Sequence, residues 1–314
     1  MTESFPQRAR RALSTATQHL LPPDTSAYLR LMGRLGYRPH LRRPRTFNEK
    51  LVWHLLHDPE PRRALWADKL AVKRYVRVRT PEVRTPATLT QGTCGEELNV
   101  RNLPDLCILK VNNGWGGHAL LRAPHDESAI VQQANAMLAR DPLDGLFPWE
   151  RYYGEIPPLV FIEAWLGADD GTAPADVKAY VVDGRVELVR YMIRHPRQAP
   201  SRETFDRSWR HVPNVRKSMP WEPAYDRGIT PLLPMPPHFG AFIDAAERLA
   251  DDVRFVRVDG YLLDDAAYIG ELTFSPSGGA VPLDFALDES LGRAWKLGPE
   301  VHHTREVPNS QRVR

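Results

Sequence analysis

The chain lacks much of what several enzyme classes need. Only two cysteines, Cys94 and Cys107, occur in 314 residues, which excludes a disulfide framework and a cysteine-based zinc site and points to a reducing, cytoplasmic setting. No apolar run approaches the ~20 residues that a membrane span requires, and no signal-like stretch opens the chain. Neither sign of charge dominates: 42 Lys and Arg against 39 Asp and Glu leave +3, too little to argue for a nucleic-acid partner. A G-x-S-x-G elbow is missing, as are a Walker A loop and a G-x-G-x-x-G fingerprint. No histidine pair stands at i, i+4; His302 and His303 are merely adjacent. Internal repeats and low-complexity blocks are also missing.

What is present is an ordinary globular composition, 42% apolar, with length enough for about two domains. The 29 prolines fall mostly in connections. Residues 1–78 read as helical, with Thr46-Phe47-Asn48-Glu49 a capping box that starts a helix near 47 and residues 66–78 one amphipathic helix with a basic face. Residues 83–89 read as extended. Strands follow at 106–111 and 158–166, with a glycine turn at 112–118 and a helix at 127–140 between them. Residues 176–193 read as two strands joined at Asp183-Gly184, a two-residue hairpin signal. Residues 195–237 read as a loop-rich excursion, 239–252 as an amphipathic helix, and 297–314 as a tail of little order. The class is α+β, with boundaries expected at 1–105, 106–166, 167–296 and 297–314.

Two apolar stretches, FVRVDGYLL (255–263) and YIGELTFSPSGG (268–279), carry the chemistry. As a hairpin turning at Leu263-Asp264-Asp265-Ala266 and centred near Asp265, they set Asp259 opposite Glu271 and Arg257 opposite Thr273, all four on one face. Opposed carboxylates on a packed face repel and are costly to bury. A divalent cation removes that penalty, and a hard ion held by carboxylates and phosphate oxygens describes a magnesium–nucleotide site. The bland alternative is a structural triad, with Arg257 merely neutralising the two acids.

Other candidates are weaker alone. Lys110 ends a strand before Gly114, Gly116 and Gly117, where backbone N–H groups and a lysine charge can meet phosphate oxygens; glycine turns are also common loops. Lys69, taken alone, reads better as part of a solvated basic face. Glu163, Trp165 and Leu166 close a strand that, leaving a sheet edge, can offer backbone groups to an adenine. Asp176 and Lys178 alternate on one side of the next strand, toward a ribose or a phosphate, or simply toward solvent. Ser275 to Gly279 can bind a carboxylate or oxyanion through its amides, or be only a turn. Arg190, Arg194 and the cluster Arg42, Arg43 and Arg45 can attract an anionic acceptor, although most such arginines are solvated surface.

The order Asp68-Lys69, V-R-T-P (83–86), I-L-K (108–110) with its glycine loop, E-A-W-L (163–166), R-V-D (257–259) and E-L-T (271–273) resembles the ATP-grasp superfamily over roughly residues 60–285. The segments PRTFNEKL, ADKLAVKRYV, LKVNNGWGG, DVKAYV, FVRVDGYLL and GELTFSPSGG resemble its TupA-like branch, associated with cell-envelope polysaccharide and teichuronopeptide biosynthesis. The resemblance implies ATP held with Mg²⁺ between two α+β subdomains behind an N-terminal helical region. Lys69 and Lys110 would contact phosphates under the loop of Gly114, Gly116 and Gly117. Glu163, Trp165 and Leu166 would hold adenine, with Asp176 or Lys178 near ribose or phosphate. Asp259, Glu271 and Thr273 would form the metal site, Thr273 standing where the superfamily usually has Asn, and Arg257 would stabilise the acyl-phosphate and the tetrahedral oxyanion. The implied activity is a carboxylate–amine ligase forming an amide and ADP. The alternatives are a kinase on the same scaffold, a glycosyltransferase using Asp169-Asp170 or Asp264-Asp265, and a non-catalytic nucleotide sensor.

Overall fold

The computed structural model describes residues 22–58, 60–114, 117–195, 198–213 and 233–297. The expectations placed on Gly116, on the tail past residue 297, on residues 1–21 and on much of the excursion lie outside these residues.

The helical start is built largely as read. Helix α1 spans Pro23–Leu35 and α2 spans Phe47–His57. The capping box forms: the Glu49 N–H donates to Thr46 Oγ1 (3.2 Å) and the Thr46 N–H to Glu49 Oε2 (3.1 Å). The helix expected over 66–78 is instead two, α3 (Arg63–Ala67) and α4 (Ala71–Arg79). Asp68 causes the break, because its Oδ1 accepts the Leu70 and Ala71 N–H groups (2.8 and 3.2 Å) and restarts the helix as a cap does.

Four strands and one helix make the smaller unit: β1 (Thr88–Gly92), β2 (Leu106–Val111), β3 (His118–Arg122), α5 (Glu127–Leu138) and β4 (Val160–Ala164). The sheet runs β1-β4-β2-β3, antiparallel throughout. Its core joins Cys107, Leu109 and Ile162 to Ile130 and Ala134 of α5. Strand β1, expected in the N-terminal region, therefore belongs to this unit.

The larger unit holds β5 (Asp176–Val182), β6 (Arg185–His195), β7 (Gln198–Phe205), α6 (Phe239–Leu249), β8 (Phe255–Leu262), β9 (Ala267–Thr273) and α7 (Phe285–Ala294). Its five strands run β7-β6-β5-β8-β9. Asp183 and Gly184 both take positive φ (46° and 77°), as the two-residue turn between β5 and β6 requires. Strand β7 was not foreseen in the proline-rich excursion. It lies at the sheet edge, the position at which a strand tolerates proline.

The N-terminal helices pack on this larger sheet. Phe47 is fully buried, with its ring 5.2 Å from that of Phe255 and 6.1 Å from that of Tyr180, a burial worth about 1.5–3 kcal/mol. Buried Asp288 of α7 holds α2 by accepting from Asn48 N–H (2.9 Å), Asn48 Nδ2 (2.9 Å) and Tyr37 OH (2.7 Å). No helix among the described residues is long and apolar enough to cross a membrane.

Candidate active site

A cleft of about 890 Å³ takes its walls from both sheets, with Lys69, Lys110, Lys178, Asp259 and Glu271 among the residues that line it. The β8–β9 hairpin puts Asp259 opposite Glu271 and Arg257 opposite Thr273, as its pattern requires. The route to that register has an extra step. The turn closes through Leu263 N–H to Ala266 O (3.0 Å) and pairs Leu262 with Ala267, Tyr261 with Tyr268 and Gly260 with Ile269. Continued regularly, that count would turn Glu271 to the far face. The register shift between Asp259 and Gly260 leaves Gly270 as the extra residue and returns Glu271 and Thr273 to the Asp259 face.

The face is strongly coupled. Arg257 grips Asp259 in a bidentate pair, Nε to Oδ1 and Nη2 to Oδ2, both 2.5 Å, and Nη2 also donates to Thr273 Oγ1 at 3.2 Å. Lys178 of β5 adds a bond to Asp259 Oδ2 at 3.0 Å. Burial would push the Asp259 carboxyl up, but Arg257 and then Lys178 outweigh it and hold it below its ordinary range. Burial likewise opposes the charge on Lys178, and Asp259 with Asp176 overcomes it, so that its pKa is raised. Glu271 is less committed, accepting from Thr273 Oγ1 at 3.3 Å and lying 4.0 Å from Arg257. Asp176 pairs with Arg194 (2.8 Å).

Lys69 stands in the break between α3 and α4, and that break delivers it to the cleft. Its N–H donates to Asn112 O (3.1 Å) and its Nζ to Gly114 O (2.7 Å), while Asn112 Nδ2 donates to Asp68 Oδ2 (3.0 Å). Burial lowers the Lys69 pKa, against the pull of Glu271. Gly114 and Gly117 flank the turn beside it and line the cleft.

Glu163 departs from its expected place. Strand β4 is interior, and Glu163 is registered with both Thr88 and Ile108. Its backbone lies inside the sheet rather than at an edge. Its carboxylate is clamped by Lys110 at 2.5 Å and by Lys73 at 2.6 Å. Just past the strand end Trp165 lines the cleft, its indole N–H donating to Ala168 O (3.0 Å), whereas Leu166 is not among the lining residues. Lys73 was not foreseen. It stands four residues after Lys69, on α4, and its Nζ also bonds Pro86 O (2.8 Å) and Thr88 Oγ1 (2.7 Å). Arg34 and Glu150, also unforeseen, line the cleft too.

Among the described residues, no group of three or more His, Cys, Asp or Glu side chains is placed to hold a metal ion. The hairpin brings two opposed carboxylates, Asp259 and Glu271, and the Thr273 hydroxyl to one face. That donor set is all-oxygen and fits Mg²⁺.

The TupA-like ATP-grasp family profile matches residues 49–296, most of the chain. The chain belongs to the TupA-like ATP-grasp family. ATP is the nucleotide that membership of this family implies. No curated protein matches it. Among solved structures it is similar to a D-alanine–D-alanine ligase from Bacillus anthracis complexed with ATP, at 15% identity over 67% of this chain and 55% of that one (TM-score 0.38). It is also similar to the ATP-grasp ligase PsnB complexed with a minimal precursor, Mg and ADP (18%; 79% and 64%; 0.39). A third is the VanG D-Ala:D-Ser ligase from Enterococcus faecalis (12%; 72% and 57%; 0.42). The chain spans little more than half the length of the first of these, 55%.

Proposed function

We propose that this ATP-grasp protein is an ADP-forming carboxylate–amine ligase, acting in the cytoplasm on a small or polymer-linked carboxylate in cell-envelope or specialised peptide synthesis. The observation that carries the reading is the joint placement, in one cleft, of two lysines suited to phosphates and a hairpin suited to a metal and an oxyanion.

The geometry supports the following roles. Lys110, oriented by Glu163, and Lys69 take the nucleotide phosphates. Trp165 and Leu166 present backbone to the adenine, and Asp176 lies on the strand next to the metal strand for the ribose. Asp259, Glu271 and Thr273 would hold Mg²⁺, which when bound neutralises phosphate charge. A substrate carboxylate attacks the γ-phosphorus, releasing ADP and leaving an acyl-phosphate. An amine then attacks the acyl carbon, and phosphate leaves. Arg257 reaches Asp259 and Thr273 from the same face, so its fixed charge is pre-placed for the oxyanion that develops. No protein nucleophile is required.

Glu271→Gln keeps the size and removes the charge. We expect a folded protein whose Mg²⁺-dependent ATP turnover falls by about 10²-fold or more, on the scale of a lost electrostatic group. Unchanged turnover would sink the metal assignment. Phosphate released only when both a carboxylate and an amine are present marks ligation, whereas a stable phosphorylated product would mark a kinase.

A further inference from the structure

The acids of the cleft can be matched with their cations one by one. Glu163 has Lys73 and Lys110, Asp176 has Arg194, and Asp259 has Arg257 and Lys178. Glu271 has Arg257 at 4.0 Å and the metal assigned above. Glu150 remains. It lies in the helical turns Pro148–Glu155, is only 3% exposed, and lines the same cleft. Its Oε2 accepts from the Phe147 N–H (2.7 Å) and its Oε1 from the Ser275 hydroxyl (2.5 Å), which in turn accepts from Tyr152 OH (2.6 Å). These bonds hold it in place but bring no positive charge. Among the described residues, no lysine, arginine or histidine forms an ion pair with it. Burial raises its pKa, with the Phe147 amide, the Ser275 hydroxyl and the more distant field of Arg34 acting against that rise. A carboxylate so placed is costly unless a cation completes it.

We propose that Glu150 receives the ammonium group of the amine substrate, so that the acceptor is a primary amine that enters the cleft protonated. This rests on the ligase reading above. Position supports it: Ser275, the residue that holds Glu150, lies two residues past Thr273 and four past Glu271, and all three line the cleft. An amine at Glu150 therefore sits next along the wall from the metal hairpin. Chemistry supports it as well. Each carboxylate oxygen already has one protein donor and keeps a further lone pair, which suits the N–H donors of an ammonium. Among the described residues, no group of three or more His, Cys, Asp or Glu side chains that could hold a metal ion includes Glu150.

The test uses the full chain loaded with Mg·AMPPNP and titrated by calorimetry. The probes are glycinamide, which carries an ammonium, and glycolamide, which has a hydroxyl in its place. Wild type is expected to bind glycinamide at least tenfold more tightly than glycolamide, and at least tenfold more tightly than Glu150→Gln does. Glu150→Asp, which keeps the charge, should recover part of the loss, and Mg·AMPPNP should bind all three proteins alike. The proposal is overturned if wild type fails to bind glycinamide, if it binds the two probes equally, or if Glu150→Gln matches wild type. It is also overturned if Glu150→Gln alone loses AMPPNP binding or unfolds at a much lower temperature, since Glu150 would then be a strut. Failure of wild type to bind Mg·AMPPNP would instead overturn the ligase reading.

Discussion

The buried chain Lys73–Glu163–Lys110 is the tightest arrangement at the scale of single residues. Lys73 is 6% exposed and Glu163 is 4% exposed, and the carboxylate meets one lysine on each oxygen. Burial lowers the Lys73 pKa, and Glu163 pulls it back up. Breaking such a pair leaves a buried charge without its partner, at a cost of about 3–5 kcal/mol, whereas replacing both partners with apolar groups is often near neutral. Lys73→Met leaves Glu163 with Lys110 as its one cation and should lower the unfolding free energy by about 1–3 kcal/mol, read by urea denaturation. The triple variant Lys73→Met/Lys110→Met/Glu163→Leu, which removes all three charges together, should recover much of that loss. Additive losses in the triple variant would show that the side chains contribute packing rather than charge. Lys110 was legible from the chain because it borders a glycine turn, and Lys69 only through the family resemblance, because the helix break that delivers it was not foreseen. Lys73 was not, because a lysine on a helix with a basic face looks the same whether it points to solvent or to a carboxylate 90 residues away in sequence. Glu150 was hidden for the same reason: its burial is set by Ser275, 125 residues on.

Elements were legible where local chemistry dictates them. The capping box of α2 and the turn at Asp183-Gly184 both follow from side chains within a few residues of one another. Two features were decided at longer range. The break between α3 and α4 needs Asn112 to hold Asp68 (3.0 Å), and β7 forms because β6 is long enough to template an edge strand. The register shift in the hairpin is the most consequential element-scale feature, and Gly260 sits beside it. A Cβ at Gly260 would lie 2.1 Å from Tyr268 O, a backbone atom that cannot step aside. Gly260→Ala should thus push β8 from β9 and disturb the metal face more than the core. We expect a loss of about 1–3 kcal/mol in stability with a larger proportional loss of Mg²⁺-dependent turnover. Full turnover with Gly260→Ala would show that the hairpin tolerates a change of spacing.

At the scale of the whole molecule, two cores of unequal size lie on either side of the cleft. The smaller joins the four-stranded sheet to α5; the larger joins the five-stranded sheet to α6, α7 and the N-terminal helices. A smaller core opens at lower free energy. Amide exchange in β2 and β4 should therefore run ahead of exchange in β5 and β8, and Mg·AMPPNP, which touches both walls in the proposed reading, should slow both. Equal protection in the nucleotide-free protein would mean that the units open as one. The α+β class and the element order were readable because strand and helix patterns alternate along the chain. The packing of residues 22–58 on the larger sheet was not, since it depends on Phe47 meeting Phe255 and Tyr180 across more than 100 positions. A last consequence belongs to Lys69. Its amine spans the two units by holding Gly114 O (2.7 Å), the same amine proposed for a phosphate. An ammonium has three N–H donors, so Lys69 can keep Gly114 O and still offer two to a phosphate. In the proposed reading the glycine turn and the nucleotide would thus be tied to one another through a single amine.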